Sequence, residues 1–238
     1  MNQGFSPQND SSFAPNTVIA TPVANLMAEA RLNFIRKTYV LFMAGILMSI
    51  VAATVCLNVQ PVYNVAASIL NNPLMAILLI VGGSFAAQAL ARQEGLNYVA
   101  LFGFTALIGF LFAPIVARYA PAAIGQAAFL TIATFGSLTA YAFITRKDFS
   151  FMGGILFVGM MTIVLAGAAN LLFFKSWNAT YFLAWATLFF SSGFVLYKTS
   201  NILHHYTERD ACAAALGLFI SFFNIFMSIL RILSGNRN

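Results

Sequence analysis

Charged residues are scarce in this 238-residue chain, at 8% of the total, whereas 61% of its residues are hydrophobic. A soluble domain averages roughly 25% charged and 45–50% apolar residues. So few charges could not cover the surface of a soluble protein of this size. The solvent around most of the chain is therefore lipid.

Acidic residues are the rarer charge, with 6 Asp and Glu against 12 Lys and Arg. None falls in the middle of an apolar run: Asp10, Glu29, Glu94, Asp148, Glu208 and Asp210. Proton relays and cation pathways normally need ionisable groups inside the membrane, and calcium prefers carboxylates among its oxygen ligands. A cation path here would have to use amide, hydroxyl and backbone oxygens, as selectivity filters do. The positions of the acids thus argue against ion conduction.

Cysteine and histidine are also few, and this bears on metal sites. Cys56 and Cys212 lie in or beside apolar runs, with no second Cys or His at ligand spacing, which is typical of packing residues. His204 and His205 are adjacent in a polar stretch, where a metal site or pH sensor is one interpretation. A solvated loop is the favoured one. We expect no metal and no cofactor.

The residue patterns of common enzymes are missing as well. The apolar runs contain no Asp pair for an aspartyl protease and no His for serine–histidine chemistry, and the chain has no Gly-rich phosphate loop. Its basic residues occur singly or in pairs between apolar runs, which is typical of topology signals rather than of nucleic-acid binding. We therefore expect no catalytic residue and no nucleic-acid partner.

Seven apolar runs approach the roughly 20 residues that a helix needs to cross a bilayer. They are Thr38–Val59, Leu74–Ala91, Tyr98–Ala117, Ile124–Ile144, Phe151–Phe174, Ala179–Tyr197 and Ala211–Leu233. The runs are continuous rather than alternating, which favours helices over barrel strands. Small residues such as Gly103 and Gly109 within them favour close helix packing. The predicted fold class is an all-α polytopic membrane protein with seven transmembrane helices.

The segments between the runs predict short loops and an orientation. Gln60–Pro73 holds two Pro and several Asn and is expected to be a loop, and Lys198–Asp210 is the longest polar stretch after the N-terminus. Ser150 is a candidate N-cap for the fifth span. With the N-terminus inside, the inner side collects Arg31, Arg36, Lys37, Arg92, Arg146, Lys147, Lys198 and Arg209. The outer side collects Arg118, Lys175, Arg231 and Arg237. This bias favours a cytoplasmic N-terminus and an external C-terminus.

The N-terminal segment, residues 1–30, is rich in Asn, Gln, Ser, Pro and Thr. Such a composition predicts a disordered polar tail, followed by a transmembrane domain of residues 31–238. The segment lacks the basic and apolar regions of a cleavable signal peptide. An exposed tail of this kind is a natural handle for a partner protein.

Polar side chains inside the spans suggest one candidate site. Ser221, Asn224 and Ser228 are spaced by three and four residues, so they share one face of the last helix. The simpler interpretation of each is a hydrogen bond that holds helices together. The alternative is a central polar site formed by these three residues with Lys198 and Asn170.

Three stretches carry recognisable motifs. In Thr145–Phe174, a basic pair and Asp-Phe-Ser precede a helix that ends near an Asn: Arg146, Lys147, Asp148, Ser150 and Asn170. The second stretch is Tyr197–Ile202, which reads YKTSNI, and the third is Ala215–Arg237, which includes Asn224 and Arg231. They resemble the fourth loop and fifth helix, the end of the sixth helix and the last helix of the Bax inhibitor-1/YccA-like family.

The resemblance implies a seven-helix fold whose last helix sits centrally in the bundle. Members of that family are linked to calcium leak from membrane stores, to protection against stress-induced death and, in bacteria, to modulation of a membrane-bound AAA protease. Calcium leak is associated there with two Asp residues, whose positions are occupied here by Lys198 and Ser221. A lysine carries the wrong sign for a cation site, so the resemblance does not extend to a pH-gated calcium leak.

The expected function is that of a non-enzymatic membrane protein that acts by interaction in membrane-protein quality control or stress response. Its expected partners are the lipid bilayer and a membrane-bound AAA protease or other membrane proteins. The alternative is a pH-sensitive calcium or cation leak channel. The bacterial inner membrane is the expected location, with the endoplasmic reticulum as the alternative.

Overall fold

Helices make up the fold. A computed structural model describes residues 28–235, which form eight helices and no β-sheet. They are α1 (Ala28–Asn58), α2 (Gln60–Asn71), α3 (Pro73–Leu90), α4 (Asn97–Val116), α5 (Pro121–Thr145), α6 (Ser150–Phe174), α7 (Trp177–His204) and α8 (Glu208–Gly235). In the described part of the chain, 7 are long and apolar enough to cross a membrane, and α2 is the exception. The predicted all-α fold with seven spans is confirmed, while most of the predicted tail lies outside the described residues.

The last helix lies at the centre of the bundle. In its most apolar stretch 72% of the residues are buried, against 11–56% in the other spans. It packs against α1, α3, α4, α5 and α7. Its first turns are rich in buried small residues, including Ala211, Ala213, Ala214, Ala215 and Gly217, which let neighbouring backbones approach closely. The central position expected for the last helix is confirmed.

Two helices extend beyond their apolar runs. Helix α1 begins at Ala28 rather than Thr38, because Phe34, Thr38 and Phe42 continue one buried face at a spacing of four. Helix α7 ends at His204 rather than Tyr197, because the residues after Lys198 are buried against the protein rather than solvated: Thr199, Ser200, Asn201, Ile202 and Leu203. The predicted loop over Lys198–Asp210 was therefore wrong in its first half.

The predicted loop Gln60–Pro73 was also wrong, since most of it forms α2. Pro61 stands in the first turn of this helix, where the missing N–H is not needed for an intrahelical hydrogen bond. Asn72 then caps α3 by accepting a hydrogen bond from the backbone N–H of Met75 at 3.3 Å. A short helix thus links the first two spans.

Candidate functional site: a lysine-lined cavity in the bundle

A cavity of about 450 Å³ lies between α3, α4, α6, α7 and α8. Three helices present residues to it at spacings of three, four and seven, which are those of one helix face. They are Ser84 and Gln88 on α3, Thr187, Ser191 and Lys198 on α7, and Gly217, Ser221 and Asn224 on α8. The rest of the wall is Ile, Val, Met and Phe. An apolar pocket with a few convergent polar groups is the usual composition of a small-molecule site.

Lys198 is the only charged side chain among the described residues that line this cavity. Its Nζ lies 5.7 Å from the centroid of the Tyr197 ring. No carboxylate within residues 28–235 forms a salt bridge with it. A Cβ added at Gly217 would lie 3.2 Å from both Cδ and Cε of Lys198. The glycine thus leaves the lysine stem room to lie against the backbone of α8.

Ser191 faces the same cavity two turns before Lys198. Its side chain is fully buried, and its hydroxyl has no hydrogen-bond partner in the described part of the chain. A buried polar group without a partner costs about 1–3 kcal/mol. By contrast, the Ser221 hydroxyl donates to the carbonyl of Gly217 at 3.1 Å. Among the described residues, the Ser191 hydroxyl is thus left unpaired within the wall of the cavity.

A second cavity of about 510 Å³ lies towards the other end of α7, and its lining includes Lys175, Thr180 and Arg231. It shares Ile163 and Thr187 with the first cavity. In both linings, as far as the structure describes them, the charged residues are basic. Neither cavity offers a carboxylate to a cation.

Asn170 borders the second cavity, but its hydrogen bonds close a turn. Its amide nitrogen donates to the Ser176 carbonyl at 3.2 Å and to the Thr180 hydroxyl at 2.9 Å. Its amide oxygen accepts from the backbone N–H of Ser176 at 3.0 Å. The side chain thus ties the end of α6 to the start of α7, across a turn in which Lys175 adopts a left-handed backbone (φ 47°).

The structure divides the candidate polar site between two places. Lys198, Ser221 and Asn224 meet at the first cavity, whereas Asn170 lies at the second. Ser228 is buried on α8 and is in neither lining. The candidate site inferred from the sequence did not include four polar residues that line the cavity, Ser84, Gln88, Thr187 and Ser191. The sequence signal that could have identified them is a four-residue spacing between polar residues, from Ser84 to Gln88 and from Thr187 to Ser191.

The motif residues Arg146, Lys147 and Asp148 lie away from this cavity, in the loop between α5 and α6. Arg146 ends α5 in a left-handed conformation (φ 49°). The Lys147 carbonyl accepts a hydrogen bond from the Ser200 hydroxyl at 3.3 Å, and that hydroxyl accepts one from the N–H of Phe149 at 2.9 Å. The loop is thereby attached to the end of α7.

Asp148 performs the capping role expected of Ser150. Its Oδ1 accepts a hydrogen bond from the backbone N–H of Ser150 at 2.8 Å, and this bond lowers the pKa of the Asp148 carboxyl. The N-cap position at this helix start is occupied by Phe149 rather than Ser150, so that expectation is corrected. Asp148 Oδ2 also lies 3.5 Å from Nε2 of His205, with both side chains about half exposed.

Further contacts join the loops at this end of the bundle. Arg209, at the start of α8, lies 3.1 Å from Glu94 in the loop between α3 and α4. Near the start of α1, Arg31 donates a hydrogen bond to the Leu203 carbonyl at 2.8 Å. Antiparallel spans place these loops on one side of the membrane, so the contacts fasten the ends of α1, α3, α7 and α8 together.

Comparison with known proteins identifies the fold family. The sequence matches the family model described as inhibitor of apoptosis-promoting Bax1 over residues 31–238, which spans every described helix except the first turn of α1. The chain belongs to the Bax inhibitor-1 family. In this member of the Bax inhibitor-1 family, the two positions at which the resemblance places Asp residues hold Lys198 and Ser221. Both line the same cavity.

Three relatives span most of this Bax inhibitor-1 family chain. Bax inhibitor 1 of Schizosaccharomyces pombe is 29% identical over 92% of the chain and 82% of the relative. The modulator of FtsH protease YccA of Escherichia coli is 30% identical over 84% of the chain and 88% of the relative. An uncharacterized protein of Campylobacter jejuni is 35% identical over 84% of the chain and 87% of the relative. The chain is thus similar to proteins from yeast and from bacteria, and its seven candidate spans make it a multi-pass membrane protein.

Proposed function

We propose that this chain is a non-enzymatic membrane protein that modulates a membrane-bound AAA protease in membrane-protein quality control. The observation that carries the proposal is the similarity to the Escherichia coli protein named as a modulator of FtsH protease, which covers most of both chains. Relatives in the family are named as inhibitors or modulators. The action proposed here is therefore contact with other membrane proteins in the bilayer.

The charges of the cavity support contact rather than cation transport. A calcium ion near Lys198 would meet a positive charge in a site of low dielectric, where repulsion is strong. In the described lining, the remaining polar groups are amides and hydroxyls. A pH-sensitive calcium or cation leak is therefore not the function that we propose.

The proposed location is a bacterial inner membrane with the N-terminus in the cytoplasm. The basic loop residues Arg92, Arg146, Lys147 and Arg209 lie at the same end of the bundle as the start of α1. Such an excess of Lys and Arg marks the cytoplasmic side. The polar segment before α1 would then face the cytoplasm and offer the partner its point of contact.

Crosslinking in native bacterial membranes, followed by affinity purification of the full-length chain, tests this proposal. We expect a membrane-bound AAA protease to be enriched over a control purification of an unrelated seven-span protein. A variant that lacks residues 1–25 keeps every described helix and should capture less of the protease. Unchanged capture by this variant would remove the tail from the proposal, and no enrichment with either form would contradict the proposal itself.

A further inference from the structure

We propose that the cavity around Lys198 binds an anionic amphiphile, a single acyl chain that carries a carboxylate or phosphate headgroup. The inference goes beyond protease modulation, because it concerns the occupant of the bundle rather than a protein partner. It rests on a cation without a counterion and on the apolar wall around it.

The headgroup end of the site is positive and unsatisfied. Lys198 has no salt-bridge partner within residues 28–235. A charge inside a protein is costly unless it is paired and hydrogen-bonded. An anionic headgroup on Lys198 supplies that pairing.

Neutral donors also line the cavity. The side-chain amides of Gln88 and Asn224 belong to the same lining as Lys198. A side-chain amide can donate a hydrogen bond to an oxygen of the headgroup. Bonds to a charged acceptor are stronger than those between neutral groups, so these donors favour an anion over a neutral alcohol.

The remainder of the cavity suits a hydrocarbon chain. Its wall includes Ile80 on α3, Phe112 on α4, and Met160 and Met161 on α6. Methionine side chains adapt to irregular apolar ligands. The volume of about 450 Å³ lies in the range of small-molecule pockets. A small inorganic anion would leave this apolar wall uncovered, whereas a plain hydrocarbon would leave Lys198 unpaired.

The site is accessible from the bilayer. Phe85 on α3 and Phe157 on α6 both line the cavity, and they are 50% and 51% exposed, respectively. In a membrane-spanning bundle such exposed apolar side chains face lipid. A lysine near a helix end usually extends to the interface, but here Gly217 lets the stem of Lys198 lie along α8. The ammonium therefore stays beside the apolar chamber into which a lipid-derived chain would enter.

Oleate binding to the full-length protein in phosphatidylcholine nanodiscs tests the proposal. Radiolabelled oleate is measured by scintillation proximity, with oleate, lysophosphatidate, oleyl alcohol and acetate as competitors. We expect saturable binding that oleate or lysophosphatidate displaces and that oleyl alcohol and acetate do not. The stronger of the two anionic competitors identifies the headgroup. Equal displacement by oleyl alcohol, or displacement by acetate at the same concentration, would overturn the proposal.

Substitutions test whether oleate binds in the cavity around Lys198. Lys198→Met should weaken oleate binding roughly tenfold or more, the effect of losing one charged hydrogen bond, and Lys198→Arg should retain most of it. Lys175→Met, which alters the second cavity, is the matched control and should bind like the wild type. Met160→Trp keeps the lysine and fills the cavity from α6, so it should abolish saturable binding even if Lys198→Met proves unstable. Wild-type affinity in the folded Lys198→Met or Met160→Trp protein would contradict the assignment.

Discussion

Asp148 shows how one side chain can organise a loop at the membrane surface. Its carboxylate accepts the backbone N–H of Ser150 and lies beside His205. The pKa of Asp148 is lowered mainly by the Ser150 hydrogen bond, with His205 and His204 contributing less. A lowered pKa in the folded state means that the ionised carboxylate stabilises the fold above its ordinary pKa. That stabilisation is lost as the pH falls through the lower, folded value.

Replacing Asp148 tests this linkage. Asp148→Ala should lower the melting temperature at neutral pH by roughly 2–4 °C, corresponding to about 1 kcal/mol for a lost cap on a half-exposed residue. The difference from wild type should shrink as the pH falls below about 3.9. The difference in melting temperature is measured by thermal unfolding in detergent over this pH range, with fluorescence-detected size-exclusion chromatography as the readout.

Asp148→Asn is the matched control for charge. The amide oxygen can still accept the Ser150 N–H, so its loss of stability at neutral pH should be smaller than that of Asp148→Ala. The stability of the Asn variant itself has no contribution from titration of this side chain, so its gap to the wild type should also shrink in acid. A gap between wild type and Asp148→Ala that widens in acid would contradict the assigned role of the carboxylate.

At the scale of helices, Gly109 sets the distance between α1 and α4. A Cβ at Gly109 would overlap the backbone carbonyl of Ser49 on α1, which cannot move aside as a flexible side chain could. Gly103, on the same helix, has no atom within 4 Å of its added Cβ. The sequence identifies both as small residues within a span, but only the packing distinguishes them.

Alanine at each position tests this difference. Gly109→Ala should force α1 and α4 apart and destabilise the protein by about 1–3 kcal/mol, the usual cost of overpacking. Gly103→Ala should be neutral or slightly stabilising, because alanine is the better helix former. Melting temperatures and monodispersity in detergent provide the comparison, and equal melting temperatures for the two variants would contradict the packing described for Gly109.

The spans were predictable because bilayer thickness fixes the length of an apolar run. The ends of the helices were harder to predict. Helix α1 continues towards its N-terminus because Phe34 extends its buried face, and α7 continues through polar residues that are buried against the protein. Helix α2 was missed because prolines and asparagines suggest a loop, although Pro61 fits a first helical turn. The spacing of apolar residues in the sequence does not show what the end of a helix packs against.

The cavity could be predicted only in part. Ser221 and Asn224 stood out by their spacing, and Lys198 by its charge and by resemblance. Thr187 and Ser84 gave only the weak signal of a four-residue spacing to Ser191 and Gln88, and in the structure their hydroxyls also bond to their own helix, at Leu183 and Val81. Which polar faces meet depends on how five helices pack around α8, and this is a property of the tertiary structure.

For the whole molecule, the basic cavity predicts the absence of calcium flux. The wild-type protein in liposomes that contain a calcium dye should admit no more calcium than empty liposomes, at neutral or acidic pH. The double variant Lys198→Asp, Ser221→Asp places two carboxylates at one cavity and should raise calcium uptake. Clear pH-dependent calcium flux through the wild-type protein would contradict this prediction and support the cation-leak alternative.

The most direct test of the proposed function is a degradation assay with purified components. A bacterial membrane-bound AAA protease and a membrane-protein substrate are reconstituted in liposomes with increasing amounts of this chain, and ATP-dependent loss of the substrate is followed. We predict that the degradation rate changes and levels off at a fixed ratio of the two proteins, whereas an unrelated seven-span protein has no effect. Identical degradation curves with and without the chain would contradict modulation by contact.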